Sequence, residues 1–206
     1  MRWRKTTIAA LAAALLAAVS ACAPSGAGPV DGPPTKRDAA GASDADGAPA
    51  TGTPVRILDW DAVESLVKES AGKVVVLDVW STYCSPCMRE LPRLVALRES
   101  LGDAVRCLTV SVDYIGAANR PPESYRDNVQ RFLDRIQARL VNILCSTPDD
   151  IVFEKLGIAS IPCVVVYDRS GKIRKTFHND ASEYGEDGFT YARHVEPLVR
   201  DLVAEP

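Results

Sequence analysis

Histidine and methionine are scarce in this chain of 206 residues, each occurring only twice. The histidines, His178 and His194, stand far apart, and no H-x-x-H or second C-x-x-C accompanies the single Cys84-Ser85-Pro86-Cys87 motif. A structural zinc site therefore lacks paired ligands, because the remaining candidates (Cys107, Cys145, Cys163, His178 and His194) are scattered singly. An excess of one charge is also missing: 24 Lys and Arg against 27 Asp and Glu leave a net charge of -3. No basic stripe interleaved with aromatics occurs, and aromatics make up only 6% of the chain, which sets nucleic-acid binding aside. No internal repeat is present. The one long apolar run, Ile8 to Val19, is too short to favour a spanning helix; it follows Arg2, Arg4 and Lys5 and ends in small residues, the three-part layout of a secretory signal.

That signal closes on Val19-Ser20-Ala21-Cys22, which resembles the lipobox of bacterial lipoproteins. The resemblance implies cleavage before Cys22 and diacylation of its sulfur, so residues 1–21 are expected to be removed and Cys22 to anchor the chain in a membrane, facing the periplasm or the cell exterior. An ordinary signal cleaved near Ala21 or Ala23, or an uncleaved anchor, are the alternatives, and each also exports the protein. Residues 22–52 are dominated by Ala, Gly, Pro, Ser, Thr and Asp, with almost no side chain to bury. Such a segment cannot offset its ordering entropy and is expected to be a flexible tether. Residues 53–206 are long enough to carry one core.

Within that part, Val55–Leu58 reads as a short edge strand, and Asp61-Ala62-Val63-Glu64 has capping-box spacing that opens a helix to about Ser70, stopped by Gly72. The β-branched run from Lys73 to Trp80 is apolar on both faces and predicts a central strand. Pro86 sits in the first turn of the next helix, where its missing N–H costs least, and that helix runs to about Ser100. Ala104–Val112 reads as a second buried strand. A polar loop, Gly116–Pro122, precedes a long amphipathic helix predicted over Glu123–Leu140. Val141–Leu144 is extended, a short helix opens at Thr147–Asp150 and ends near Gly157, and Pro162–Tyr167 with Lys172–Phe177 flank a turn signal, Asp168–Gly171, as an antiparallel hairpin. A final helix is expected from Tyr191 to Val203, kinked or divided by Pro197. This order describes an α/β sandwich around a mixed sheet, parallel in its first part and antiparallel at the end.

Two cysteines separated by two residues at a strand-to-helix junction can close a small disulfide, and the helix N-terminus lowers the pKa of the first thiol. Cys84 is expected at the exposed helix cap as the attacking nucleophile, with Cys87 one turn inward to resolve a mixed disulfide. Half of a zinc site and a plain structural disulfide are the competing readings, the second being at home in an oxidising compartment. A staple gains little from so short a loop, however.

Asp78-Val-Trp80-Ser-Thr-Tyr83-Cys84-Ser85-Pro86-Cys87, followed by Glu90-Leu-Pro92 and later by Gly157-Ile-Ala-Ser-Ile161-Pro162, resembles the thioredoxin superfamily, and within it the TlpA-like, membrane-tethered thiol:disulfide oxidoreductases that include cytochrome c maturation reductases. The resemblance covers roughly residues 55 to 204. It implies a thioredoxin fold with a longer helical insertion between the second strand and the cis-proline region, over Tyr114–Leu140. It also implies a redox couple at Cys84 and Cys87 that needs no separate cofactor or metal. Asp78 falls at the family's buried acid that takes the proton of Cys87, or else is a strand-end Asp satisfied by backbone. Pro162 falls at the cis-proline, with Ile161 offering backbone to a bound peptide, or else is a trans proline starting a strand. Trp80, Tyr83, Ser85 and Pro86 complete the expected substrate contacts. Glu90 is the subgroup's hallmark acid, read either as a tuner of the redox couple or as a solvated charge.

Tyr83 replaces the family's usual Trp. Cys163 follows the proline where Thr is common, placing a third thiol near the active site by analogy, although Cys163, Cys107 and Cys145 also read as small buried apolar residues. Pro86 before Cys87 follows the reducing members, so the expected activity is reduction of protein disulfides, apocytochrome c among them, with re-reduction by a membrane electron donor. A copper-binding or redox-sensing protein using the same thiols is the alternative. It would want a third soft ligand, for which Met88 points elsewhere on the helix. A thiol peroxidase does not match the motif pattern.

Overall fold

Seven consecutive buried residues, Val74–Trp80, form the strand around which the domain is built. The computed structural model describes residues 52–180 and 182–206; the expected signal peptide, Cys22 and the linker up to residue 51 lie outside the described residues. No described helix is long and apolar enough to cross a membrane. Strands β1 (Arg56–Leu58), β2 (Val74–Trp80), β3 (Val105–Ser111), β4 (Val141–Cys145), β5 (Cys163–Tyr167) and β6 (Ile173–His178) make one six-stranded sheet in the order β1-β4-β3-β2-β5-β6. The first four are parallel in their pairings, and β5 and β6 run antiparallel. The expected mixed sheet is therefore present, with β2 between β3 and β5 as its two-sided burial requires.

Strand alternation sorts the core onto two faces. Val74, Val76 and Trp80 point toward α2 (Ser85–Leu101), α3 (Arg126–Arg135) and α5 (Glu196–Ala204), where they meet Leu91, Leu94, Phe132, Leu133, Val199 and Leu202. Val75, Leu77 and Val79 point the other way, to α1 (Trp60–Lys68) and α4 (Asp149–Leu156), and meet Val63, Val67 and Val152. The hairpin turn closes as predicted: Gly171 N–H donates to the Asp168 carbonyl at 2.9 Å, and the Asp168 carboxylate accepts from Ser170 N–H at 2.9 Å and Lys172 N–H at 3.1 Å.

Three element boundaries differ from the sequence reading. Helix α1 is capped by Asp59, not Asp61: Ala62 N–H donates to Asp59 Oδ1 at 2.8 Å, and Glu64, expected to complete a capping box, instead accepts from Trp60 Nε1 at 2.9 Å. The long helix expected to reach Leu140 stops at Arg135. Gln137, at φ 53, adopts the left-handed conformation; its N–H bonds the Asp134 carbonyl and the Ala138 N–H bonds the Leu133 carbonyl, a Schellman stop without glycine. The chain is thereby released as β4, which slots between β3 and β1, so the insertion adds a strand to the sheet as well as a helix. The final helix opens with a wide π turn, Tyr191–Val195, and Pro197 falls in the first turn of α5 rather than inside a continuous helix.

The cap assignment separates two neighbouring carboxylates. Asp59→Ala should lower unfolding stability by about 1 kcal/mol through the lost cap. Asp61, whose partner is Lys155 at 3.4 Å on an exposed surface, should cost well under 1 kcal/mol on the same substitution. Urea unfolding of the two variants measures the difference, and equal losses would contradict the cap.

Candidate active site

Strand β2 ends at Trp80, and three residues later Cys84 caps the N-terminus of α2 in an extended conformation. Cys84 and Cys87 are joined by a disulfide, with their Cα atoms 5.3 Å apart. The Cys87 N–H donates to Cys84 Sγ at 3.2 Å, so the first sulfur occupies the position of a helix-capping acceptor, where peptide dipoles favour negative charge. Cys84 is less open than a cap residue on a free surface: it is 8% exposed and Cys87 2%. The exposed part of the motif is its rim, formed by Ser85, Pro86 and above all Tyr83, at 69% exposure.

Cys84 opens on a cleft of about 610 Å³, to which Tyr83, Ser85, Pro86, Ile115, Phe153 and Ile161 contribute. The Ile161–Pro162 peptide bond is cis, and Pro162 itself is buried. Two carboxylates hold the walls of this cleft. Asp113, 1% exposed, accepts from Thr82 N–H at 3.1 Å and from the Thr82 and Ser111 hydroxyls, which ties the end of β3 to the turn that carries Tyr83 and Cys84. Asp180 accepts from Ala159 N–H at 2.6 Å and Ser160 Oγ at 2.7 Å, fixing the segment that leads into Pro162. Neither was singled out from the sequence. Each sits in an ordinary loop pattern, and its partners lie 21 to 31 residues away.

Asp78 is 3% exposed and shares a sheet face with Val76, Trp80 and the helix bearing Cys87. Burial lifts its carboxyl from 3.8 to about 7; a hydrogen bond from Tyr191 opposes the rise and the nearby Glu90 carboxylate adds to it. The Tyr191 hydroxyl donates to Asp78 Oδ2 at 2.5 Å, and the Tyr191 N–H donates to Glu90 Oε2 at 2.9 Å. Glu90 is therefore not a solvated helix-face charge: it satisfies a free N–H at the start of the final helical segment and anchors the residue that grips Asp78. Tyr191 was missed by sequence reasoning because 113 residues separate it from Asp78, and its position reads only as the start of a helix.

Two expected site residues lie elsewhere. Trp80, taken as a substrate contact, has no exposed surface; its ring packs against Phe132 with centroids 5.0 Å apart, because even-numbered residues of β2 face the core under α2 and α3. Cys163 pairs in register with Val79 and packs on the opposite sheet face, with α1 and α4, so the proline places it next to the site in sequence while alternation turns its thiol away from Cys84 and Cys87. Cys107, Cys145 and Cys163 are all free and buried. Burial pushes the Cys107 and Cys163 thiols up to about 12, which keeps them protonated and unreactive. Met88 packs partly buried against the core.

Residues 72–173, a span containing Asp78, Cys84, Cys87 and Pro162, match the family model described as thioredoxin-like. The chain is 29% identical over 127 residues to the thiol-disulfide oxidoreductase ResA of Halalkalibacterium halodurans, a match covering 61% of this chain and 64% of that protein. It is 24% identical over 122 residues to ResA of Geobacillus thermodenitrificans, covering 58% of this chain and 62% of that one. The matched region thus spans less than two thirds of the length of these relatives. Among solved structures, a thiol-disulfide isomerase from Corynebacterium glutamicum superposes with a TM-score of 0.52 at 16% identity, covering 67% of this chain and 85% of that one. The architecture is the thioredoxin fold.

The environment of Asp78 makes stability depend on pH in a defined direction. The unfolded chain ionises this carboxyl near 3.8 and the folded chain only near 7, so between these values the folded state holds the extra proton and stability falls as pH rises. Asp78→Asn, which keeps an acceptor for Tyr191, should leave stability nearly unchanged at pH 4 and raise it by about 4 kcal/mol at pH 8. Tyr191→Phe should move the Asp78 titration further up, since it removes a donor that favours the ionised form. Urea unfolding of the oxidised proteins across pH, with an NMR titration of the Asp78 carboxyl carbon, measures both.

Proposed function

We propose that this protein is an extracytoplasmic thiol:disulfide oxidoreductase that reduces disulfides in protein substrates through Cys84 and Cys87. The observation that carries the reading is the disulfide at the N-terminus of α2, with Cys84 Sγ in the capping position and facing the cleft. The names of the relatives, thiol-disulfide oxidoreductases, support it.

In the reducing direction, the Cys84 thiolate attacks one sulfur of a substrate disulfide, forming a mixed disulfide and releasing the other substrate sulfur as a thiolate. The Cys87 thiolate then attacks Cys84 Sγ, the second substrate sulfur leaves, and the Cys84–Cys87 bond forms, so two electrons pass to the substrate. The helix N-terminus favours the Cys84 thiolate. Asp78, with its carboxyl near 7, is suited to accept the Cys87 proton as the second step begins and to return it when the pair is reduced again. The cleft walls at Tyr83, Ser85, Pro86 and Ile161 present the surface to which a substrate segment binds, with the backbone of residue 161 available to pair with it. Pro86 directly before Cys87 supports a reducing couple. Such a couple outside the cytoplasm must be recharged, which calls for a membrane electron donor. A lipid anchor at Cys22 would hold the domain beside that donor, and apocytochrome c is a fitting substrate by resemblance to the maturation reductases.

Cys84→Ser should abolish insulin reduction, whereas Cys87→Ser should accumulate a mixed disulfide whose partner mass spectrometry identifies. The potential measured against glutathione should lie nearer the about -270 mV of thioredoxin than the about -120 mV of a strong oxidant. A value at the oxidising end would reverse the assigned direction.

A further inference from the structure

Tyr83 stands between two depressions of different chemistry. On one side is the cleft already described, which carries the carboxylates of Asp113 and Asp149. On the other is a groove of about 390 Å³ between the start of α2 and the exposed face of α3, lined by Thr82, Tyr83, Met88, Asn128, Arg131, Phe132 and Arg135. Its floor is apolar, from buried Phe132 and half-buried Met88, and its rim carries the two guanidinium groups. Arg131 and Arg135 are one helical turn apart on α3, exposed, and neither lies within ion-pair distance of a carboxylate among the described residues. Arg131 bonds only locally, to Asn128 Oδ1 and the Asp127 carbonyl, while Asp134, the nearest acid on the helix, is taken by Gln130 Nε2 at 2.9 Å.

A chain with a net charge of -3 thus places an unneutralised positive pair against the rim of Cys84, on the segment that the insertion contributes. We propose that this groove selects substrate polypeptides carrying an acidic residue beside the reacting cysteine. The inference rests on the thiol:disulfide reading above and names its substrate class. With the substrate sulfur at Cys84, the segment crosses Tyr83, its carboxylate meets Arg131 and Arg135, and an apolar neighbour covers Phe132 and Met88. Guanidinium groups suit this role because they pair with carboxylates in a bidentate geometry and are weakly hydrated. The carboxylates in the opposite cleft repel the same acidic residue there, so the asymmetry also sets the direction in which the segment lies.

The test compares the reduced full chain acting on two synthetic peptide disulfides that differ only in Asp or Lys beside the cysteine, each rate divided by the same protein's rate on neutral hydroxyethyl disulfide. The wild type should favour the Asp peptide about tenfold at low salt, with the preference shrinking as salt rises. Arg131→Glu with Arg135→Glu should reverse the preference, and the Gln pair should abolish it. Equal rates for the two peptides in the wild type, or a preference that survives in the Glu pair, would overturn the proposal. Failure to reduce hydroxyethyl disulfide would instead overturn the redox reading. Peptides with Ser in place of Cys then decide the groove alone, by whether the Asp form shifts the NMR signals of α3 in the oxidised protein and the Lys form does not.

Discussion

Burial of β2 on both faces and both edges is the constraint from which the remaining structure follows. Paired with β3 on one side and β5 on the other, it has no free backbone edge, and every side chain from Val74 to Trp80 is removed from water. A strand so enclosed must place Asp78 inside, and its carboxyl rises to about 7 because nothing nearby repays its desolvation in full. The same enclosure means that the chain leaving Trp80 emerges at the sheet end where Cys84 begins α2. The acid and the disulfide are set by one element.

Around this axis the polar interactions are few and mostly long-range. Asp113 ties β3 to the Thr82 turn, Asp180 ties β6 to the segment before Pro162, and Glu90 ties α2 to Tyr191, which in turn meets Asp78. Each joins two elements that flank the disulfide. The cleft is therefore walled by loops whose backbone is held by buried or half-buried carboxylates, and its exposed part is reduced to Tyr83 and its neighbours. Such loops position a substrate while the scaffold behind them stays fixed.

The insertion between β3 and α4 changes both the sheet and the surface. Its strand β4 fills the space between β1 and β3, and its helix α3 supplies Phe132 to the Trp80 packing from inside while presenting Arg131 and Arg135 outside. One helix thus buries the ring at the end of β2 and shapes the basic side of the site. This is the economy expected of an amphipathic helix whose apolar stripe is spent on the core and whose opposite face is free for recognition.

Local periodicity and short-range chemistry determined the order of elements, the central position of β2, the mixed sheet, the hairpin at Asp168–Gly171 and the pairing of Cys84 with Cys87, because hydrophobic alternation, turn residues and a two-residue spacing are properties of contiguous chain. The stop of α3 at Gln137 was invisible, since a left-handed residue other than glycine is imposed by the hydrogen bonds that follow it. Whether Trp80 and Cys163 faced the site depended on which sheet face each strand residue took, and alternation turned one to the core and the other to the far side. Tyr191, Asp113 and Asp180 acquired their roles only when residues distant in the chain came within hydrogen-bond reach. The sequence by itself thus determined which thiols pair and which strand carries the acid. Tertiary structure alone decided what holds that acid, which aromatic reaches solvent, and what charge lies beside the disulfide, because those depend on contacts between segments that no local pattern encodes.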